Sequence, residues 1–230
     1  MPLGPCIAVR MDVPPYRLSG TVYGALLNHQ TSLQDLGDAI ERPPYNGAPK
    51  APVLYIKPRN TLAVDGEPIV VPPGVTELEI GASVGVVIGR PSCRLSAERA
   101  LEHVAGFLIV NDVSVPHRPY YRPSIPCKAR DGFCPLGPRV APRAAVPNPD
   151  ALTIRVYVDG ELKQTATTSQ LVRPVAKLLA DVTDVMTLSP GDVLAVGVAS
   201  PAPRVRAGQR VRVEIDGLGR LENSFVDGAA

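Results

Sequence analysis

The sequence predicts a mainly β chain of the α+β class, with two or three short helices among its strands. Three observations support this. Short Val- and Ile-rich runs bounded by Gly and Pro recur from residue 53 onward, which is the composition and punctuation of strands. The chain is 45% hydrophobic but only 4% aromatic, without Trp, so its core must be assembled from Val, Leu, Ile and Ala. Near the C-terminus Val211, Val213 and Ile215 alternate with Arg210, Arg212 and Glu214, the period of two that places apolar side chains on one face of a strand.

Residues 1–18 are Pro-rich and aperiodic and read as a flexible extension, with Met11 a second candidate start; residues 19–230 read as one domain. A strand-like TVYGALLNH comes first. From His29 to Ala51 a polar, Pro-rich stretch reads as a short helix and a long loop that turns at Asn46-Gly47. Val53–Lys57, Pro68–Val71 and Ala82–Ile88 read as strands buried on one or both faces. Ser96 is placed to cap a short helix, AERALEHVA, leading into a strand over Gly106–Val110. Between Ser114 and Pro138 the chain is rich in Pro, Arg and Tyr and has no period. Such a segment is held by tertiary contacts and is where a site is expected. Thr153–Val158 and Leu162–Thr165 flank Asp159-Gly160, suited to a tight hairpin turn. Leu171, Val175, Leu178, Leu179 and Val182 fall on one helical face, with Pro174 in the first turn. Pro190-Gly191-Asp192 then turns into the strand VLAVG, and a final hairpin covers residues 210–225.

The net charge of +2 arises from 24 basic and 22 acidic residues with no run of like charge, which argues against nucleic acid or an anionic membrane as partner and for a small molecule. Cys6, Cys93, Cys127 and Cys134 lack the CxxC spacing of a zinc or redox site and read as free thiols of a reducing compartment. No segment reaches the roughly 20 apolar residues of a membrane span, and the N-terminus lacks an uninterrupted apolar signal core. A cytoplasmic protein is expected.

An ordered series of motifs runs from about Thr21 to the C-terminus: IKPRNTL at Ile56–Leu62, GVVIGR at Gly85–Arg90, AGFLIVNDVS at Ala105–Ser114, KARDGFCPLGP at Lys128–Pro138, MTLSPGDVLAVG at Met186–Gly197 and VEIDGLGRLEN at Val213–Asn223. In this the chain resembles the fumarylacetoacetate hydrolase family, whose fold is a mixed β-sandwich or roll with a few short helices. LLNH, YRPSIPCKARDGFCPLG and GRLEN together are most similar to one subgroup, the amino-terminal half or separate first subunit of isomerase/decarboxylases of aromatic-compound catabolism.

The resemblance implies chemistry on a small di- or tricarboxylate 2-oxo or 2-hydroxy acid. In the family a divalent cation, Mg²⁺ or Mn²⁺, holds the 2-oxo carboxylate end and stabilises developing enolate charge, and a nearby Lys adds positive charge. Decarboxylation of 5-oxopent-3-ene-1,2,5-tricarboxylate leaves such a dienolate, and isomerisation of 2-hydroxyhepta-2,4-diene-1,7-dioate reprotonates one. Carried over by position, Asp112 is the metal aspartate, Lys128 and Asp131 are the catalytic candidates, and Lys57 borders the cleft; Arg59, Arg122 and Arg130 are candidates for holding substrate carboxylates. The two remaining metal-ligand positions, counted back from Gly89, are Gly81 and Ser83, and the lid histidine position is Ser32. His29 stands three residues before it. Glu77 and Glu79 form an acidic pair four residues out of register, which puts them ~13 Å along the strand from the required place. His117 is a candidate cleft residue, and His103 reads as solvated.

Two expectations of different kind follow. The chain is an enzyme subunit, as a homodimer or paired with a metal-competent paralogue, or it is a metal-deficient partner with a structural or regulatory role. A metal-independent tautomerisation by Lys128 and Asp131 is a third alternative.

Overall fold

The computed structural model describes residues 12–13, 16–117 and 124–228. Eleven strands form its two main sheets. In chain order they are β1 Val22–Leu26, β2 Val53–Lys57, β3 Ile69–Val71, β4 Ala82–Ile88, β5 Val104–Asn111, β6 Ala141–Pro142, β7 Thr153–Val158, β8 Glu161–Thr167, β9 Val193–Ala195, β10 Arg210–Ile215 and β11 Gly219–Asp227. One sheet has the order β6-β5-β4-β9-β1-β2, with β9 and β1 parallel and the other pairs antiparallel. The other has the order β8-β7-β10-β11-β3, with only β11 and β3 parallel. Both the mainly β class and the mixed sheets are as the sequence predicts.

The central strand β4 is buried at all of its positions because the six-stranded sheet is covered on both faces. Val84, Val86 and Ile88 face the main core, which they share with Val156, Val211 and Val213 of the second sheet. Val87 faces a smaller core with Leu108, Val110, Val193 and Leu18. A strand covered on two sides reads as a continuous apolar run. By contrast β10 has a wet face, and its buried residues are Val211, Val213 and Ile215, the alternation seen in the sequence. Asp159 (φ 51°) and Gly160 (φ 83°) are both left-handed, as the two-residue hairpin turn requires.

The helices are shorter than their patterns. The AERALEHVA segment makes one α-turn, Ala97–Ala100, then a 3₁₀ turn, and Ser96 provides no side-chain cap. Gly89 and Arg90 donate to the His103 carbonyl at 2.8 and 3.3 Å, which ties the segment's end back to β4. Val175–Val185 is the longest helix among the described residues; it starts after Pro174 and buries Val175, Leu178, Leu179 and Val182. No helix among the described residues is long and apolar enough to cross a membrane.

Three local devices shape the end of the sheet where β1 and β2 meet the loops. Asn28 donates to the carbonyls of Val196 and Arg173 and accepts from the Arg173 amide, locking the chain after β1. His29 then caps the helix Gln30–Leu36, its Nδ1 accepting from Thr31 N while Nε2 faces the Thr167 carbonyl at 3.3 Å. A short antiparallel ladder pairs Leu78–Glu79 with Arg204–Val205 and sets Glu79 opposite Arg204.

Close packing of β5 on β6 depends on Gly106, where a Cβ would lie 2.2 Å from the Ala141 carbonyl oxygen. Gly106→Ala should therefore cost about 1–3 kcal/mol by overpacking, read as a lower urea midpoint with unchanged slope.

Candidate functional site

A cleft opens where the loops after β1, β5 and β9 meet. Its cavity volume is about 120 Å³, below the roughly 300–1,000 Å³ of drug-sized ligand sites and suited to a small acid. Tyr55, Gly81, Asp112, Ser114 and Lys128 form its floor; Ser32 and Asp35 on one side and residues 198–204 on the other form its walls, with Glu79 and His117 also lining it.

The floor is a buried ion cluster. Asp112, just past the end of β5, is 2% exposed, Lys57 1% and Lys128 7%. Asp112 Oδ2 accepts from Lys128 Nζ and from the Tyr55 hydroxyl, each at 2.5 Å, and Oδ1 lies 2.7 Å from Lys57 Nζ. Lys57 also donates to the main-chain carbonyls of Val113 (2.7 Å), Lys128 (2.8 Å) and Phe133 (2.8 Å). Three donated bonds need the protonated ammonium and use all of its N–H groups. Its contact with Oδ1 is thus one of charge alone, and Oδ1 is left without a hydrogen-bond donor. The Lys128 ammonium sits 4.7 Å from the centroid of the Tyr55 ring, a cation–π distance. Tyr55 itself fits because Gly24 faces it across the β1–β2 pair; a Cβ there would be 2.1 Å from the ring.

These contacts set the proton affinities. Burial alone would raise the Asp112 pKa, but the Lys128 and Lys57 charges outweigh it and hold the carboxyl well below the usual carboxylate range. Burial, reinforced by the Asp112 charge, pushes the Tyr55 phenol well above 10. Burial lowers Lys57, opposed by Asp112, and pushes the adjacent Cys134 thiol up to about 12.

Of the residues the sequence singles out, the structure brings Lys128 and Asp112 together in the cleft and puts Lys57 behind its floor, consumed by carbonyls rather than available to a ligand. Asp131 lies elsewhere: it is exposed and accepts from Asn60 Nδ2 at 2.7 Å. Arg59 is exposed and does not line the cleft; Arg130 is likewise exposed, with its Nε on the Pro126 carbonyl. Arg122 and Cys6 fall outside the described residues. Cys93, Cys127 and Cys134 are free. Ser32, at the lid-histidine position, lines the cleft but donates to the Val198 carbonyl at 2.7 Å. His29 is spent on its helix cap, and His103 contacts the Pro91 carbonyl. His117 lines the cleft, with Nδ1 donating to the Val115 carbonyl. Glu79 reaches the cleft although Glu77 does not, and it faces Arg204 at 3.5 Å. Tyr55, Ser114 and Arg204 were not anticipated. The signal for Tyr55 was present, since it stands two residues before Lys57 on the same face of β2.

The donor set does not fit a divalent cation. A hard cation takes six or more oxygens and more than one carboxylate as a rule. Here Asp112 is already neutralised by ammonium groups, and Ser83 Oγ is turned to backbone, accepting from Gly197 N and contacting the Val84 carbonyl. At Gly81 the backbone has closed in: a Cβ would lie 2.6 Å from the Asp112 carbonyl oxygen and 3.1 Å from Val198 Cγ2. No group of three or more His, Cys, Asp or Glu side chains among the described residues is placed to hold a metal.

The profile of the fumarylacetoacetate (FAA) hydrolase C-terminal family matches residues 21–226. A 4-hydroxyphenylacetate degradation bifunctional isomerase/decarboxylase from Salmonella dublin is 41% identical over 209 residues, 91% of this chain and 48% of the relative. The chain thus spans about half the length of the curated relatives it matches first. Among solved structures, fumarylpyruvate hydrolase from Pseudomonas aeruginosa in complex with Mn²⁺ and pyruvate superposes with a TM-score of 0.80 at 26% identity, covering 93% of this chain and 91% of that one. A 2-hydroxyhepta-2,4-diene-1,7-dioate isomerase from Mycobacterium marinum gives 0.74 at 27% identity, covering 93% and 77%. With the profile matched from β1 to β11 and a cleft at the same loop ends that carry its motifs, the chain belongs to the fumarylacetoacetate hydrolase family.

Proposed function

We propose that this chain is one half of a two-part, cytoplasmic isomerase/decarboxylase that acts in 4-hydroxyphenylacetate breakdown, on 5-oxopent-3-ene-1,2,5-tricarboxylate and 2-hydroxyhepta-2,4-diene-1,7-dioate. Its companion is a second family chain that carries the acidic pair and the divalent cation. The observation that carries this reading is a cleft with a buried, oriented ammonium on its floor, in a chain 41% identical to about half of a bifunctional enzyme of that name. Loss of CO₂ leaves its electron pair delocalised as a dienolate, and a proton returned at the far carbon completes the isomerisation. Lys128, 7% exposed on the cleft floor, supplies a fixed positive charge for the enolate oxygen as charge develops there. Asp112 and the Tyr55 ring hold that ammonium in place. A second reading, a supporting partner without chemistry of its own, is favoured by one feature: Asp112 is neutralised internally.

Three outcomes test this. Combined with a metal-competent family chain, this protein should raise decarboxylation and isomerisation above the companion alone, and Lys128→Ala should lower kcat by about 10²–10³-fold; an unchanged rate in the assembled complex would leave only the supporting role. Asp112→Asn strands two ammonium groups in the interior and should cost about 3–5 kcal/mol in urea unfolding at neutral pH. Because the folded carboxyl is depressed, its stabilisation is fully present above the ordinary aspartate value of 3.8 and fades as pH falls below it; the Asn variant should show a flatter acid limb. Finally, Mg²⁺ or Mn²⁺ added after chelation should leave the thermal midpoint of this chain unmoved, and a saturable rise would show that Asp112 has found other ligands.

A further inference from the structure

Two buried ammonium groups share one carboxylate on the cleft floor, so the cluster carries a net positive charge. Lys57 is held in its charged form by three carbonyls, and it is matched by Asp112. The Tyr55 hydroxyl donates its proton to Asp112 and so supplies no counter-charge. The neighbouring acids are engaged elsewhere: Glu79 faces Arg204, Glu77 pairs with Arg206 at 2.7 Å, and Asp35 is exposed and receives Ser200 Oγ at 3.3 Å. Lys128 is the surplus charge. It gives one N–H to Asp112, and no other acceptor approaches it among the described residues. Ser114, 3% exposed and on the same floor, has a hydroxyl that makes no hydrogen bond among them. An uncompensated buried cation is costly, and an anion seated against it recovers that cost.

We propose that this floor binds the carboxylate of a 2-oxo acid directly, on the Lys128 ammonium and the Ser114 hydroxyl, with no divalent cation between them. Lys128 offers two further N–H groups and Ser114 a hydroxyl, donors enough for both the carboxylate and the adjacent keto oxygen of a 2-oxo acid. The proposal rests on the reading of the cleft as the substrate site. It changes what holds the substrate there: an internal ammonium takes over the position in the chemistry that a metal would otherwise fill.

The test is calorimetric titration of oxalate and pyruvate into the full chain in excess EDTA. About one saturable site per chain is expected, with affinity unchanged when EDTA is replaced by Mg²⁺ or Mn²⁺. Lys128→Met should weaken binding at least about tenfold, the loss of a charge-assisted contact, and Ser114→Ala by a smaller factor. Binding that needs the metal, no binding in any buffer, or a folded Lys128→Met variant of unchanged affinity would each overturn the proposal. Should that variant fail to fold, the side-chain ¹⁵Nζ resonance of Lys128 in the unaltered chain decides: it must shift saturably with oxalate, and a signal that stays put overturns the proposal. Metal-free binding without turnover beside the companion chain would remove the isomerase/decarboxylase reading and leave this one standing. Turnover without metal-free binding would do the reverse.

Discussion

The Lys57 ammonium gathers main chain that has little regular structure of its own. Among the described residues of 113–117 and 124–133, regular structure amounts to the helical turn Ile125–Lys128 and the bridge of Ser114 to Glu79, and such a stretch lacks the repeated main-chain bonds that stabilise strands. Lys57, at the end of an edge strand, reaches three carbonyls spread over that stretch and the Asp112 carboxylate beside it. One side chain thereby substitutes for a ladder. The arrangement requires that Lys57 be charged and dry, which in turn requires Asp112, and Asp112 fixes Lys128 and Tyr55. The shape of the cleft floor is therefore a consequence of how the irregular segment is anchored.

Much of the scaffold was legible in the chain because its signals are local. The alternation Val211, Val213, Ile215 and the Asp159-Gly160 turn specify their elements from neighbours two or three residues away, and the structure has them as read. The site was legible only where its residues sit on regular elements or at their ends. Asp112 follows a strand and Lys128 ends a helical turn, and both are found in the cleft. Asp131, three residues past Lys128, turns outward because Gly132 takes a left-handed φ of 74° and the chain reverses there toward Asn60. Nothing in residue spacing reports that reversal. Glu79 is four residues out of register along the strand, yet its bridge to Ser114 and its pairing with Arg204 put it beside two cleft-lining residues. Lys57 illustrates the opposite failure: its position was anticipated, but a lysine near a cleft reads as a ligand contact, and only three-dimensional packing shows that carbonyls have consumed it.

In this chain a carboxylate is gathered in by cations, and the floor faces a ligand with donors rather than acceptors. The cleft sits at loop ends beside the main core and shares Ala25 and Ala199 with it, so its charged floor contributes to stability as well as to the site.

The tight approach at Gly81 means that a metal site cannot be installed here by side-chain exchange alone. With the Asp112 carbonyl oxygen 2.6 Å from where a Cβ would stand, any side chain introduced at that position meets main chain rather than open space. An engineered glutamate there would have to shift the backbone of the Asp112 segment, and with it the ion cluster that the segment carries.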